Sequence, residues 1–330
     1  MITFWQQENN KLIHLEREEL DLGKKTWIDA RSVTRDDIKI LEEEYHVSQE
    51  HILDILDQDE MSRIEPDDEY TLFIFRLPLF NPENDVTYLT IPLGIVLFPD
   101  KIITICWSDC EVLKDISSNR IKNISIENFL TFILKIMSRT DSNFLRYLKE
   151  INRRTITIQG ELQMSVKNNE LIQLFNLEKS LEYFTTSLKS NQLLIEKLNK
   201  MKGIYLDEDQ KDFLEDIAID NRQAIEMTDI YSNILSGMMD AFASVISNNL
   251  NIVMKRLTVV SLVLNVPTLI VSFFGMNIQL PFANSGWIGT ICVSSICLVA
   301  TFLASLILKE KPVREKRKKK KKRKSKKSDE

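Results

Sequence analysis

Residues 257–274, LTVVSLVLNVPTLIVSFF, run for 18 positions without a charge, and residues 287–308, WIGTICVSSICLVATFLASLIL, do so for 22. Each is about the length that crosses a bilayer core, so the pair reads as two transmembrane helices. Lys255 and Arg256 precede the first run, a basic segment follows the second, and the intervening 275–286 carries no charge. Lys and Arg mark the cytoplasmic side, which places both termini in the cytoplasm and the connecting loop outside. Residues 1–10 have neither a basic start nor an apolar stretch, so no cleaved leader is expected. The chain reads as a multi-pass protein of the inner (plasma) membrane.

Charge is divided unevenly along the 330 residues. Residues 309–330 hold 14 Lys or Arg against 4 acids, a local net of +10, which leaves residues 1–308 with 29 against 44, a net of −15. The tail reads as a solvated segment that obeys the positive-inside rule and touches anionic lipid, not as a nucleic-acid binder. Cys106, Cys110, Cys292 and Cys297 form no CxxC pair and read as reduced thiols. His14, His46 and His51 all lie near the start, with no nucleophile or ligand constellation around them, so an enzyme is not expected. No phosphate-binding glycine loop is present, so neither ATP coupling nor an organic cofactor is expected.

Before Pro99 the pattern is mixed α/β. Residues 70–77, 86–98 and 101–107 are β-branched and aromatic runs punctuated by Pro78, Pro82, Pro92 and Pro99, whereas 35–45 and 49–56 read as amphipathic helices. From Pro99 no proline occurs until Pro267, and the Leu, Ile, Lys and Glu-rich stretch between them reads as long helices. We therefore expect an α+β chain. A cytoplasmic α/β domain covers 1–120, and a stalk helical hairpin with a turn near Gly203 covers 121–206. A long helix over 207–275 runs into the first span, and at 1.5 Å per residue it approaches ~100 Å. An outer loop at 276–286, the second span at 287–308 and the basic tail at 309–330 complete the chain.

On that long helix the small and polar residues are ordered. Asp240, Ser244, Ser247, Asn251, Met254, Thr258, Ser261, Asn265, Thr268, Ser272 and Gly275 follow one another at alternating spacings of 4 and 3. This seven-residue repeat keeps one face toward partner helices in a left-handed supercoil. At membrane depth such a face either packs tightly against other helices or lines water. The mid-span Asn265 and the inner Asp240 favour water. Two spans cannot enclose a channel, so a pore would need several copies around an axis.

Gly275-Met276-Asn277 at the outer end of the first span resembles the signature of the CorA family of divalent-cation channels. The resemblance is carried by position: MKRLT at 254–258 precedes, Pro267-Thr268 lies within the span, and a short loop, second span and Lys-rich end follow. It implies a funnel-shaped homopentamer with the first span around the pore and the second outside. Gly275, Met276 and Asn277 would form the selectivity ring, with the Asn277 amide accepting hydrogen bonds from the water shell that Mg2+ surrenders reluctantly. Gly275 would permit close helix approach or a special backbone angle. Asn251, Met254 and Leu257 match the inner constriction and Thr268 a pore-facing threonine.

Asp240 and Asp216 match acids that bind regulatory Mg2+ between subunits, with Glu83 or Asp85 as partner acid. Such an ion would hold the ring closed, so internal Mg2+ would limit its own entry. Two departures stand out: Asn265 where some members have methionine, and no acid in the outer loop 278–286. The reading is thus a passive Mg2+ channel that also admits Co2+ or Ni2+. The alternatives are a zinc transporter of the same skeleton, which a stripe without His or Cys does not favour, and a non-conducting membrane-anchored coiled-coil scaffold.

Overall fold

The computed structural model describes residues 1–9, 11–164, 168–201, 204–276 and 286–308. The chain divides into two compact units, Met1–Ala241 and Phe242–Glu330.

The first unit is built on a seven-stranded sheet. Its strands are β1 (Ile2–Glu8), β2 (Lys11–Leu15), β3 (Thr26–Arg31), β4 (Arg63–Pro66), β5 (Thr71–Phe80), β6 (Tyr88–Leu97) and β7 (Lys101–Cys106), in the order β2-β1-β3-β7-β6-β5-β4. All neighbours are antiparallel except β3 and β7. Helices α1 (Arg35–Glu43) and α2 (Gln49–Leu56) cover one face, where Leu41, Ile52 and Ile55 join Ile74, Val96 and Ile103 in one core. Helices α3 (Glu111–Ser117), α4 (Phe129–Met164), α5 (Asn168–Lys200) and the start of α6 (Glu208–Phe274) cover the other, around Trp27, Phe75, Leu93, Phe132, Ile195 and Ile217. Covered on both faces, β5 and β6 must be apolar at nearly every position, which is why their sequence runs do not alternate.

Two local features fix the layers. A side chain at Gly94 of β6 would put its Cβ 2.2 Å from Ile55 Cδ1, so α2 seats directly on bare backbone there. On the other face, β4 runs out at Arg63, the partner of Ile74, and Arg76 lies opposite Pro92. The backbone of Arg76 is taken over by a side chain: its N–H donates to Asn191 Oδ1 at 3.0 Å and its carbonyl accepts from Asn191 Nδ2 at 2.9 Å. Asn191 of α5 thus replaces a strand neighbour, satisfying two buried groups that would otherwise go unpaired.

The second unit holds the rest of α6 and α7 (Gly286–Leu308). Both helices are long and apolar enough to cross a membrane, with mean hydropathy 2.1 and 2.5 over their most apolar windows.

Candidate ion pathway

The stripe from Asp240 to Ser272 lies on α6, Gly275 directly follows the last helical residue, Phe274, and every stripe residue is exposed in the single chain. Within the span the half-buried positions are Val259, Val263, Val266, Pro267, Ile270 and Phe274. Val259, Val263, Val266 and Ile270 lie roughly 150° around the helix from Thr258, Ser261, Asn265 and Thr268, at ~100° per residue. On α7 the covered positions are Gly289, Cys292, Val293, Cys297, Ala300, Thr301, Ala304 and Leu308, again one face at helical spacing. Several of these are small, which lets two helices approach closely in lipid. The inner ends of the two helices share a groove of about 760 Å³ lined by Asn248, Asn251, Ile252, Arg256 and Leu308 among others. The half-buried face of α6 is thus the one away from the polar stripe, which stays exposed along the span.

The chemistry of that open face is one of acceptors. Thr258 Oγ1 donates to the Met254 carbonyl at 2.9 Å and Thr268 Oγ1 to the Leu264 carbonyl at 3.0 Å. Each hydroxyl spends its only proton inside the helix, so what it turns outward is a lone pair. Together with the Asn251 and Asn265 amides, this gives the face oxygen acceptors of the kind that can accept from water. Pro267 has no N–H, so the Val263 carbonyl loses its regular helical donor on the covered side.

At the outer end Gly275 N–H donates to the Val271 carbonyl at 2.9 Å. The special backbone angle expected at Gly275 is not found: the described glycine with positive φ is Gly286, at +52°. A Cβ at Gly275 would meet the Val271 carbonyl oxygen at 3.4 Å, an ordinary contact, so nothing among the described residues demands glycine there. Met276 is exposed, and Asn277 lies outside the described residues, as do the loop 277–285, the turn at Gly203 and the tail 309–330.

The four candidate regulatory acids all belong to the first unit and all are exposed. Glu83 and Asp85 sit in the β5–β6 loop, which is closed by Asn81 N–H on the Thr87 carbonyl at 2.8 Å and by Glu83 N–H on Asn81 Oδ1 at 3.1 Å. Asp85 lines a cavity of about 360 Å³ together with Arg153, Arg154 and Glu161. Asp216 and Asp240 stand on α6. Among the described residues, no three His, Cys, Asp or Glu side chains converge to hold a metal ion. One chain does not bring these acids together. The sequence reading missed a different pair, Asp141 of α4 and Asn221 of α6, both fully buried. Their signal is positional: each is a polar residue at core spacing, Asp141 between Met137 and Phe144, Asn221 between Ile217 and Ala224.

A family model described as CorA-like Mg2+ transporter protein matches residues 23–310. The chain belongs to the CorA family. Among curated relatives of this CorA-family chain, the cobalt/magnesium transport protein CorA of Methanocaldococcus jannaschii is 29% identical over 265 residues, covering 78% of this chain and 82% of that one. The magnesium transport protein CorA of Helicobacter pylori is 22% identical over 235 residues, covering 70% and 73%. The complete structure of the CorA magnesium transporter from M. jannaschii superposes with a TM-score of 0.76 at 23% identity, over 93% of this chain and 96% of that one. The likeness is one of fold: an α/β N-terminal domain, a long helix and two apolar C-terminal helices, as the sequence led us to expect.

Proposed function

We propose that this chain is a divalent-cation transporter, one subunit of a homopentameric membrane channel that passes hydrated Mg2+ passively down its electrochemical gradient and admits Co2+ or Ni2+. The observation that carries the reading is the polar face of α6, exposed from Asp240 to Gly275, while within the span the half-buried positions Val259, Val263, Val266 and Ile270 lie on the opposite side. An uncovered row of Thr, Ser and Asn at membrane depth is costly facing lipid, and copies gathered around an axis relieve that cost by enclosing water. The relatives' names, magnesium and cobalt/magnesium transport proteins, support the choice of ion.

In this reading Asn251, Met254 and Leu257 form the inner constriction, and Thr258, Ser261, Asn265, Thr268 and Ser272 line the pore. Gly275, Met276 and Asn277 make the outer ring. Both termini face the cytoplasm of a cell bounded by the membrane that α6 and α7 cross. Asp216 and Asp240, with Glu83 or Asp85, bind regulatory Mg2+ between subunits, where two chains supply the convergence that one does not.

Mg2+ flux into proteoliposomes tests this with wild type beside Asn277→Ala. The variant is expected to lose about tenfold in flux, the equivalent of ~1.4 kcal/mol of lost hydrogen bonding to the ion's water. Equal flux in both would remove the ring from Asn277. No flux in either would turn the chain into a membrane-anchored scaffold.

A further inference from the structure

A carboxylate that nothing in the pore reading uses lies deep in the first unit. Asp141 of α4 is fully buried, and neither of its oxygens has a hydrogen-bond partner among the described residues. The packing around it fixes what stands nearby. Phe144 meets Phe184 of α5 edge to face at 5.0 Å between ring centres, and Asn221 of α6 donates through Nδ2 to the Leu188 carbonyl of α5 at 3.1 Å. Gln210 of α6 donates to Thr131 of α4 at 2.9 Å, a separation of 79 residues. The same offset along the two helices carries Asp141 to the level of Asp220, beside Asn221.

What gathers at that level is a set of acceptors. Asn221 is fully buried and its Oδ1 is unpaired, like both oxygens of Asp141. Asp220, half-buried, is the charged group that bears on Asp141, and it is of the same sign. No cation offsets it. Arg139 is committed to Asp115, Arg146 to Glu111, and Lys135 lies over the Phe213 ring. On α5 the neighbouring Glu182 and Lys189 are exposed, and Phe184, Ser187, Leu188, Ser190 and Asn191 are buried. The unpaired Nδ2 of Asn143 stands two residues along α4, which turns it to the other side of that helix. A desolvated carboxylate whose charged neighbour is a second carboxylate, with no donor to either oxygen among the described residues, is not a stable ionised arrangement by itself.

We propose that the seam of α4, α5 and α6 is a cation site centred on Asp141, with Asn221 Oδ1 and the Asp220 carboxylate as its further oxygens. The ligand is a positive charge suited to hard oxygen acceptors, a proton or a small metal ion. A proton on Asp141 would turn one acceptor into a donor toward its neighbours, and a metal ion would neutralise both carboxylates. Burial with a like charge beside it already raises the proton affinity of Asp141 well above that of an ordinary carboxyl, first through desolvation and then through Asp220. The site lies within one subunit and differs from the exposed acids assigned above to subunit contacts, so it stands whether or not the chain conducts.

Thermal unfolding of the full chain in detergent, followed by circular dichroism, tests the site and separates its two ligands. Asp141→Asn is neutral and of the same shape, so it mimics the occupied state and is expected to fold. If the ligand is a proton, the wild-type midpoint measured in EDTA falls by about 3 °C or more as pH is raised from the ordinary carboxyl range through the elevated value of Asp141, and the variant stays flat. If the ligand is a metal, Mg2+ at fixed pH raises the wild-type midpoint by a similar amount over EDTA, and the variant loses that increment. Asp220→Asn, which keeps Asp141 itself, is expected to shrink whichever dependence is seen. PH and Mg2+ profiles of Asp141→Asn that match those of wild type would overturn the proposal.

Discussion

Glu111 and Asp141 stand on α3 and α4, two helices in contact, and titrate in opposite directions. Arg146 and Tyr147 both donate to Glu111, which holds its carboxyl down at about 2. A carboxylate with a depressed folded value stabilises the protein above its unfolded value, here 4.5, and loses that contribution as pH falls toward 2. The Glu111 side chain is 37% exposed, so solvent screens the pair. Glu111→Gln should cost only ~1 kcal/mol at neutral pH and should flatten the acid limb of the unfolding profile between these values. Urea titrations at neutral and acid pH check this; a loss as large at acid pH as at neutral pH would dissociate the effect from the ion pair. In the span, Asn265→Leu replaces an amide at mid-pore with a group that cannot face water. Mg2+ flux in proteoliposomes should fall about tenfold if Asn265 contacts the ion's water. Unchanged flux would place it in a dry helix contact.

Elements are held by what neighbours leave bare. α2 sits on Gly94, and a branched side chain there has no room against Ile55. Gly94→Val should therefore destabilise the first unit by ~3 kcal/mol, read as a lower urea midpoint with an unchanged slope. β5, β6 and β7 were legible in the sequence because burial on both faces makes them apolar throughout. β1 to β4 were not. ITFWQQE, KLIHL and RIEP mix polar and apolar residues because these strands lie toward the sheet edges, and TWIDAR, though interior and covered on both faces, is broken up by the buried Asp29, whose partners Thr104 and Arg31 the sequence does not announce. The stripe on α6 was legible because heptad spacing survives in one chain. Which positions of α7 would be covered was not, since Gly289, Ala300 and Ala304 carry no periodic polarity to advertise themselves. Asn191 illustrates a further limit: its role exists only because Pro92 and the end of β4 fall opposite Arg76, a long-range coincidence.

For the whole molecule the governing quantity is charge. Residues 1–308 carry a net of −15, so copies brought side by side repel one another unless cations lie between them. In the proposed pentamer, Mg2+ at Asp216 and Asp240 relieves that repulsion in the closed arrangement and so couples internal Mg2+ to closure. Replacing both with Asn should raise flux by roughly the 5–150-fold range of ordinary coupling energies when the vesicle side bearing the first unit is loaded with Mg2+, and should change it little when that side is Mg2+-free. Variant flux as suppressed by Mg2+ as in wild type would show that other groups sense the ion.

The alternation of fours and threes along α6 also sets a rule for how such a chain can lengthen. Inserting one residue between Asp240 and Leu257 turns everything beyond it by ~100°, carrying Leu257 and Val260 into the places of Thr258 and Ser261. Inserting seven leaves each side chain on its own face and moves it only along the axis. Natural length variants in this segment should therefore come in sevens, and a single-codon insertion should abolish transport while sparing the fold of the first unit.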